Sequence, residues 1–287
     1  MVNATLQWFG TATWRLTVGD TVIWLDAYLD RAPTAVPLPI RAVDVDRADA
    51  ILVGHSHIDH IADAGRMAKQ TDALVIGSAL SCEIVAEEGV PSSRLTVCEG
   101  GEQITVGPVT IHTFPSIHGF NDFREWPDEQ GRDRKQRAAE LRETDPRGLE
   151  AAIAHLRDAP PKQRQDGGPL AFLLEWDDFR LFWHDTPGML TDSWEAAAEL
   201  EPDLAILAAA GGFSTPNVDG TPVEDGPHVF VARMAAILQP VSVVLNHHDD
   251  WCPPITCTLP EEPFRPGLEA GGVALEIRRL GEVFSLE

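Results

Sequence analysis

The chain has 287 residues, with 45 Asp and Glu against 22 Lys and Arg, for a net charge of −23. At 44% apolar and 23% charged residues it has the balance of an ordinary globular protein, long enough for one large core. The acidity argues against nucleic acid and anionic membrane surfaces as partners. No apolar run reaches the length of a membrane span, and Met1 to Thr5 lacks the basic start of a signal segment.

Residues 4–26 read as β: Ala4 to Trp8, Trp14 to Val18, and Thr21 to Leu25, the last two joined as a hairpin by Gly19-Asp20. Pro33, Pro37 and Pro39 then force an extended loop. Ala50 to Val53 is a short buried strand, followed by a polar loop and a helical pattern over Ile61 to Gln70. Leu74 to Gly77 predicts a strand, and Cys82 to Glu88 a helix stopped by Gly89. Leu95 to Cys98, Gln103 to Val106 and Val109 to Phe114 predict three more strands. Residues 120–168 change character, with ten basic and eleven acidic residues, two charged helical stretches (Arg132 to Arg142 and Leu149 to Arg157) and a Pro/Gln/Gly-rich exit. This stretch is too poor in apolar residues for a core of its own, so it reads as a helical insertion in a single 1–287 domain. It is either a lid over the active site or a passive surface excursion.

Strands resume at Leu170 to Trp176 and Phe179 to Trp183. A helix over Trp194 to Leu200, a strand over Leu204 to Ala209, a helix over Val229 to Gln239 and a strand over Val241 to Leu245 follow. Ala274 to Arg278 and Val283 to Leu286 finish the chain as β, and no internal repeat is visible. The four cysteines, Cys82, Cys98, Cys252 and Cys257, lack CxxC spacing and read as reduced packing thiols, so a cytoplasmic location is expected.

Chemistry concentrates at Val53-Gly54-His55-Ser56-His57-Ile58-Asp59-His60. Three of the chain's 10 histidines and one carboxylate fall within six residues, between a strand and a helix start. In an extended segment His55 and His57 point the same way, and Asp59 and His60 sit on the helix's first turn, where orphan amides favour a carboxylate. Neutral imidazole and carboxylate suit zinc and its first-row neighbours. The alternative is a solvated polar loop rich in His. His118, Asp185 and His247 also lie just beyond short apolar runs, and side chains at strand ends converge on one edge of an α/β sheet. Taken singly, His118 reads as a structural histidine and Asp185-Thr186-Pro187 as a turn. Their order after the opening motif is what raises them.

The opening motif resembles the signature of the metallo-β-lactamase superfamily of metal-dependent hydrolases, and the order His118, Asp185, His247 resembles that family's remaining ligands. The resemblance covers the chain apart from 120–168. It is closest to the branch with ascorbate-6-phosphate lactonase-like hydrolases and the phospholipase D acting on N-acyl-phosphatidylethanolamine, through Trp24-Leu25-Asp26-Ala27-Tyr28 and Gly211-Gly212. It implies an α/β fold, a four-layered αββα sandwich. One divalent ion would be held by His55, His57 and His118, a second by Asp59, His60 and His247, with Asp185 bridging; zinc comes first, with manganese or iron as the other candidates. It implies a metal-bridging hydroxide acting on an ester, lactone or phosphodiester of a small molecule, with Asp59 as both ligand and orienter of the attacking group.

Two features depart from the family pattern. The residue before the bridging Asp, commonly small, is His184, expected as a partner behind the ligands or as a proton donor. The last ligand falls in the His247-His248 pair; family spacing favours His247 and leaves His248 as a second candidate donor or a pocket residue. Trp251, Phe213 and Phe120 are expected as apolar walls. The basic residues of 120–168 would either meet an anionic substrate or pair with acids of their own segment. Competing readings are a nucleic-acid phosphodiesterase of the same superfamily and a non-catalytic metal-binding scaffold. A di-iron oxidoreductase is disfavoured because relatives of that kind carry Glu where His57 stands. Homo-oligomerisation stays open.

Overall fold

The computed structural model describes residues 2–119, 134–188, 190–210 and 226–286. The expected walls Phe120 and Phe213 and the Gly211-Gly212 pair lie outside them. Fourteen strands are found among the described residues: β1 (Ala4–Trp8), β2 (Trp14–Val18), β3 (Thr21–Leu25), β4 (Ala50–Leu52), β5 (Leu74–Gly77), β6 (Leu95–Val97), β7 (Gln103–Val106), β8 (Val109–Pro115), β9 (Leu170–Trp176), β10 (Phe179–Trp183), β11 (Leu204–Ala208), β12 (Ser242–Asn246), β13 (Ala274–Glu276) and β14 (Val283–Leu286). The helices are α1 (Ile58–Ile61), α2 (Ala64–Thr71), α3 (Ala79–Glu87), α4 (Arg134–Thr144), α5 (Pro146–Arg157), α6 (Thr191–Ala198), α7 (Pro227–Leu238) and α8 (Arg265–Ala270).

Two seven-stranded sheets form, in the orders β14-β1-β2-β3-β4-β5-β6 and β13-β12-β11-β10-β9-β8-β7. Strands β1, β2 and β8 alternate in burial because one side chain in two meets the facing sheet. The central parallel strands are buried on both faces: Leu-Ala-Ile-Leu-Ala of β11 and Ser-Val-Val-Leu-Asn of β12 are buried throughout. Leu6, Trp14, Leu16 and Leu52 of the first sheet meet Ile111, Phe172, Trp183 and Ile206 of the second in the central core. The outer face of the first sheet packs Trp24, Ile51 and Val75 on Met67 of α2 and Ile84 of α3. That of the second packs Leu207 and Val243 on Trp194 of α6 and Phe230 and Met234 of α7. The result is the expected four-layered αββα sandwich.

The sheets share a pairing pattern that the amino-acid sequence does not reveal. In the first, β14/β1, β1/β2 and β2/β3 are antiparallel, and β3/β4, β4/β5 and β5/β6 parallel. In the second, β7/β8, β8/β9 and β9/β10 are antiparallel, and β10/β11, β11/β12 and β12/β13 parallel. β3 and β10 are therefore equivalent, each the first strand of the parallel half. The predicted helix 61–70 is broken at Asp63 into α1 and α2. Asp63 Oδ2 accepts the Leu29 and Asp30 amides (2.8 Å each), so that carboxylate anchors the loop after β3.

The described part of 120–168 forms α4 and α5 and returns along the loops that follow the strands. Ala152 and Leu156 of α5 pack on Tyr28, Trp251 and Cys252, and His155 Nε2 lies 2.8 Å from the Tyr28 hydroxyl. The Ser56 amide donates to the Asp166 carbonyl (3.0 Å), which ties the segment's exit to the opening motif. Among the described residues no helix is long and apolar enough to cross a membrane. The four cysteines form no disulfide.

Candidate metal centre

The strand ends of both sheets deliver their His and Asp side chains to one edge of the sandwich. His55 and His57 follow β4, with His57 in extended backbone (φ −68°, ψ 152°) as the N-cap of α1. Asp59 and His60 lie on that single turn of helix and are buried. His118 follows β8, Asp185 follows β10, and His247 follows β12. Three groups among the described residues bring ligand atoms within 4.8 Å of one another: His55/His57/His118, Asp59/His60/His247 and, sharing a histidine with each, His55/His60/Asp185.

Hydrogen bonds fix which nitrogen of each ring is available. A carboxylate or carbonyl can only accept, so the ring nitrogen facing one carries the proton. Asp185 Oδ2 accepts from His55 Nδ1 (2.6 Å), Asp26 Oδ2 from His60 Nδ1 (2.6 Å) and the Gly119 carbonyl from His118 Nδ1 (2.7 Å). In a neutral ring each such bond leaves Nε2 as a lone pair, the arrangement by which a second carboxylate or carbonyl orients a metal-binding histidine. His55 Nε2 meets His57 Nδ1 at 3.0 Å; Asp59 Oδ2 lies 3.2 Å from His247 Nε2 and 3.5 Å from His60 Nε2. Two donors of a tetrahedral zinc sit ~3.3 Å apart at ordinary bond lengths. The spacings are those of a coordination sphere.

The electrostatics agree with this geometry at His55, His57 and His118. At His60, burial is outweighed by Asp59 and Asp26, which hold the ring well above the usual imidazole value, so a cation would have to displace the Nε2 proton. Burial, reinforced by His60, His118 and His57, holds His55 well below the usual imidazole value. Burial brings His57 to about 4 and lowers His118, so these rings are neutral near pH 7, as a metal requires. Burial opposes ionisation of Asp59, but His60 and His247 outweigh it and hold the carboxyl well below its usual range. Asp185 Oδ1 is buried and, among the described residues, has no hydrogen-bond partner. A buried carboxylate oxygen left without a donor is costly, so the donor set fits divalent cations.

His247 and His248 part company. His247 adopts a left-handed conformation (φ 57°), which for a non-glycine residue costs on the order of 1–3 kcal/mol unless its surroundings impose it. Its amide donates to the Thr11 carbonyl (2.7 Å), and its ring reaches Asp59. The structure places His248 elsewhere: its ring stacks on Trp8 (centroids 4.8 Å, planes 9° apart) and its Nε2 lies 3.2 Å from Glu261. His184, next to Asp185 along the chain, alternates to the other side. It is fully buried against Trp194, bonded through Nε2 to Ser116 Oγ (2.8 Å), and burial lowers it to about 4. Neither side chain belongs to the three clustered groups. Of the expected apolar walls, Trp251 stands 6.1 Å from the His247 ring and edge-on to Tyr28 (5.8 Å).

Sequence reasoning gave Asp26 no role, although the same strand-end rule points to it. Asp26 ends β3 in a left-handed conformation (φ 55°), accepts the Gly54 amide on Oδ1 (2.9 Å) and orients His60. The matching position in the second sheet, directly after the first parallel strand, is His184, one residue before Asp185. Gly54 is needed because a Cβ there would collide with the Asp185 carboxylate.

Comparison with known proteins bears on this site. The model of the beta-lactamase superfamily domain matches residues 21–243. The chain belongs to that family. It is 24% identical over 277 residues to a UPF0173 metal-dependent hydrolase of Cupriavidus necator, covering 95% of this chain and 82% of the relative. A second UPF0173 metal-dependent hydrolase, from Myxococcus xanthus, is 25% identical over 212 residues, or 73% of this chain and 61% of that protein's length. Among solved structures, Igni18, described as a metallo hydrolase from the archaeon Ignicoccus hospitalis, shares the fold with a TM-score of 0.67 at 17% identity, covering 99% of both chains. The family's members thus carry the description expected of a protein with this centre.

Proposed function

We propose that the protein is a metal-dependent hydrolase that holds two divalent ions and cleaves an ester, lactone or phosphodiester bond of a small molecule. The observation that carries this reading is the division of ligand atoms into His55/His57/His118 and Asp59/His60/His247, with Asp185 reaching a histidine of each. Zinc suits the donors best, with manganese and iron as alternatives. Ions of this kind supply Lewis acidity: they make water a nucleophile near neutral pH and polarise a carbonyl or phosphoryl oxygen.

The chain's own residues do the positioning. Asp26, Asp185 and the Gly119 carbonyl hold the Nδ1 protons of His60, His55 and His118 and so turn three Nε2 atoms toward the ions, the His60 ring giving up its second proton when an ion binds. Asp59, kept ionised by His60 and His247, is the carboxylate that orients the attacking group. His184 braces the segment before His118 through Ser116, and we assign it that role rather than proton transfer. His248, stacked on Trp8, is assigned no proton transfer either. Trp251, Tyr28 and α5 limit water on one side, which makes the 120–168 insertion the proposed lid. Within the superfamily, the lactonase and phospholipase D branch remains the proposed neighbourhood, on the strength of the Asp26-Ala27-Tyr28 loop.

The test is metal loading followed by a screen of lactones, esters and phosphodiesters with zinc, manganese or iron added. Two metal equivalents per chain and turnover abolished by a chelator are expected. A fully loaded protein inert across all three bond classes would favour the non-catalytic scaffold.

A further inference from the structure

The loop that carries His247 belongs to the second sheet, yet its ring must meet Asp59 and His60 from the first. Three segments distant in sequence close on it. Thr11, in the β1–β2 turn, accepts the His247 amide through its carbonyl (2.7 Å) and donates its own amide to Asp249 Oδ1 (2.8 Å). Arg31, from the loop after β3, pairs through Nη2 with Asp249 Oδ2, and its side chain is 4% exposed. Gly10 (φ 86°) lets the pair lie against the turn; a Cβ there would sit 2.7 Å from Arg31 Nη1 and 2.8 Å from Asp249 Oδ2. A buried guanidinium paired with one carboxylate is weak evidence for stability, since two well-packed apolar side chains do as well or better. A pair built this way is better explained by what it fixes in place, and what it fixes is the left-handed backbone of His247.

We infer that Arg31 and Asp249 are positioning residues for the second ion, clamping the His247 loop to the β1–β2 turn so that Nε2 stays on Asp59. The inference rests on the two-ion reading. Its signature is asymmetric, because His55, His57 and His118 make no contact with the clamp among the described hydrogen bonds and ion pairs.

The experiment is a competition titration of the metal-free full chain with zinc, repeated with cobalt, whose visible absorption reports each filling site. The Arg31→Met/Asp249→Asn double variant removes both charges, so neither is left buried alone, and Arg31→Lys keeps the charge. In the double variant the second equivalent weakens about 10- to 100-fold, as expected when an outer partner of a ligand is lost. The first equivalent stays within about twofold of the parent, and Arg31→Lys restores part of the loss. A double variant that binds both equivalents as the parent does, or loses both alike, overturns the clamp. A parent that binds a single equivalent overturns the two-ion reading and the clamp with it.

Discussion

The two halves of the centre are built in opposite ways. The first sheet contributes His55, His57, Asp59 and His60 within six residues, all between β4 and the end of α1. The second contributes His118, Asp185 and His247 from three loops separated by tens of residues, and His247 is held by Thr11 of the other sheet. A contiguous motif takes its backbone geometry from one strand, one turn and one helix start, with Asp185 and Asp26 orienting the His55 and His60 rings. Scattered candidate ligands depend on the packing of the whole sandwich, down to a glycine at 54 that admits the Asp185 carboxylate. Substitutions should therefore act locally in the first half and through the fold in the second.

The largest effect is expected within the contiguous half. His57→Ala or Asp59→Ala should each remove one metal equivalent and reduce hydrolysis to background, while the fold melts normally once metal is stripped from both proteins. Plasma emission spectroscopy gives the first quantity and calorimetry the last; full metal content would remove the residue from the ligand set. Gly54→Ala probes how the halves meet. The added methyl drives into Asp185, so the variant should lose metal and, as overpacked sites do, about 1–3 kcal/mol of stability in denaturant titrations. Unchanged metal content would mean that Asp185 can move without consequence.

Next comes the adjacent pair in the scattered half. His247→Ala should lose metal, whereas His248→Ala should keep it and lose roughly 0.5–1.5 kcal/mol of stacking on Trp8. If the results are exchanged, the choice within the pair is wrong. The smallest effect is expected at Tyr28→Phe. The Tyr28 hydroxyl accepts the Ala32 amide (3.1 Å) and, with that amide bound, can give its proton to His155. Its loss should cost about 0.5–1.5 kcal/mol and speed proteolysis within 134–168. An unaltered cleavage rate would show that α5 is held by apolar packing alone.

The same contrast explains what the sequence made legible. Every strand was visible, since alternation and short apolar runs bounded by Gly, Pro and Asp are local properties. The opening motif stood out because its candidate ligands are neighbours, and the later candidates because each follows an apolar run. α8 was missed: six residues that include Pro266 and Gly267 carry no helical period. Asp26 went without a role because what it does, holding the His60 Nδ1 proton, is a contact across 34 residues. His155 meets Tyr28 across 127 residues and Asp249 meets Arg31 across 218, and no periodicity encodes either. The matching pairing order of the two sheets escaped for a related reason: it is kept by hydrogen-bond topology, not by residue identity.

The most direct test of the central claim is anomalous scattering from crystals of the purified protein, collected at the absorption edge of the bound metal. Two peaks should appear at the edge of the sandwich, one among His55, His57 and His118, the other among Asp59, His60 and His247, with the Asp185 carboxylate between them. A single peak, or none in protein grown with zinc or manganese, would contradict it.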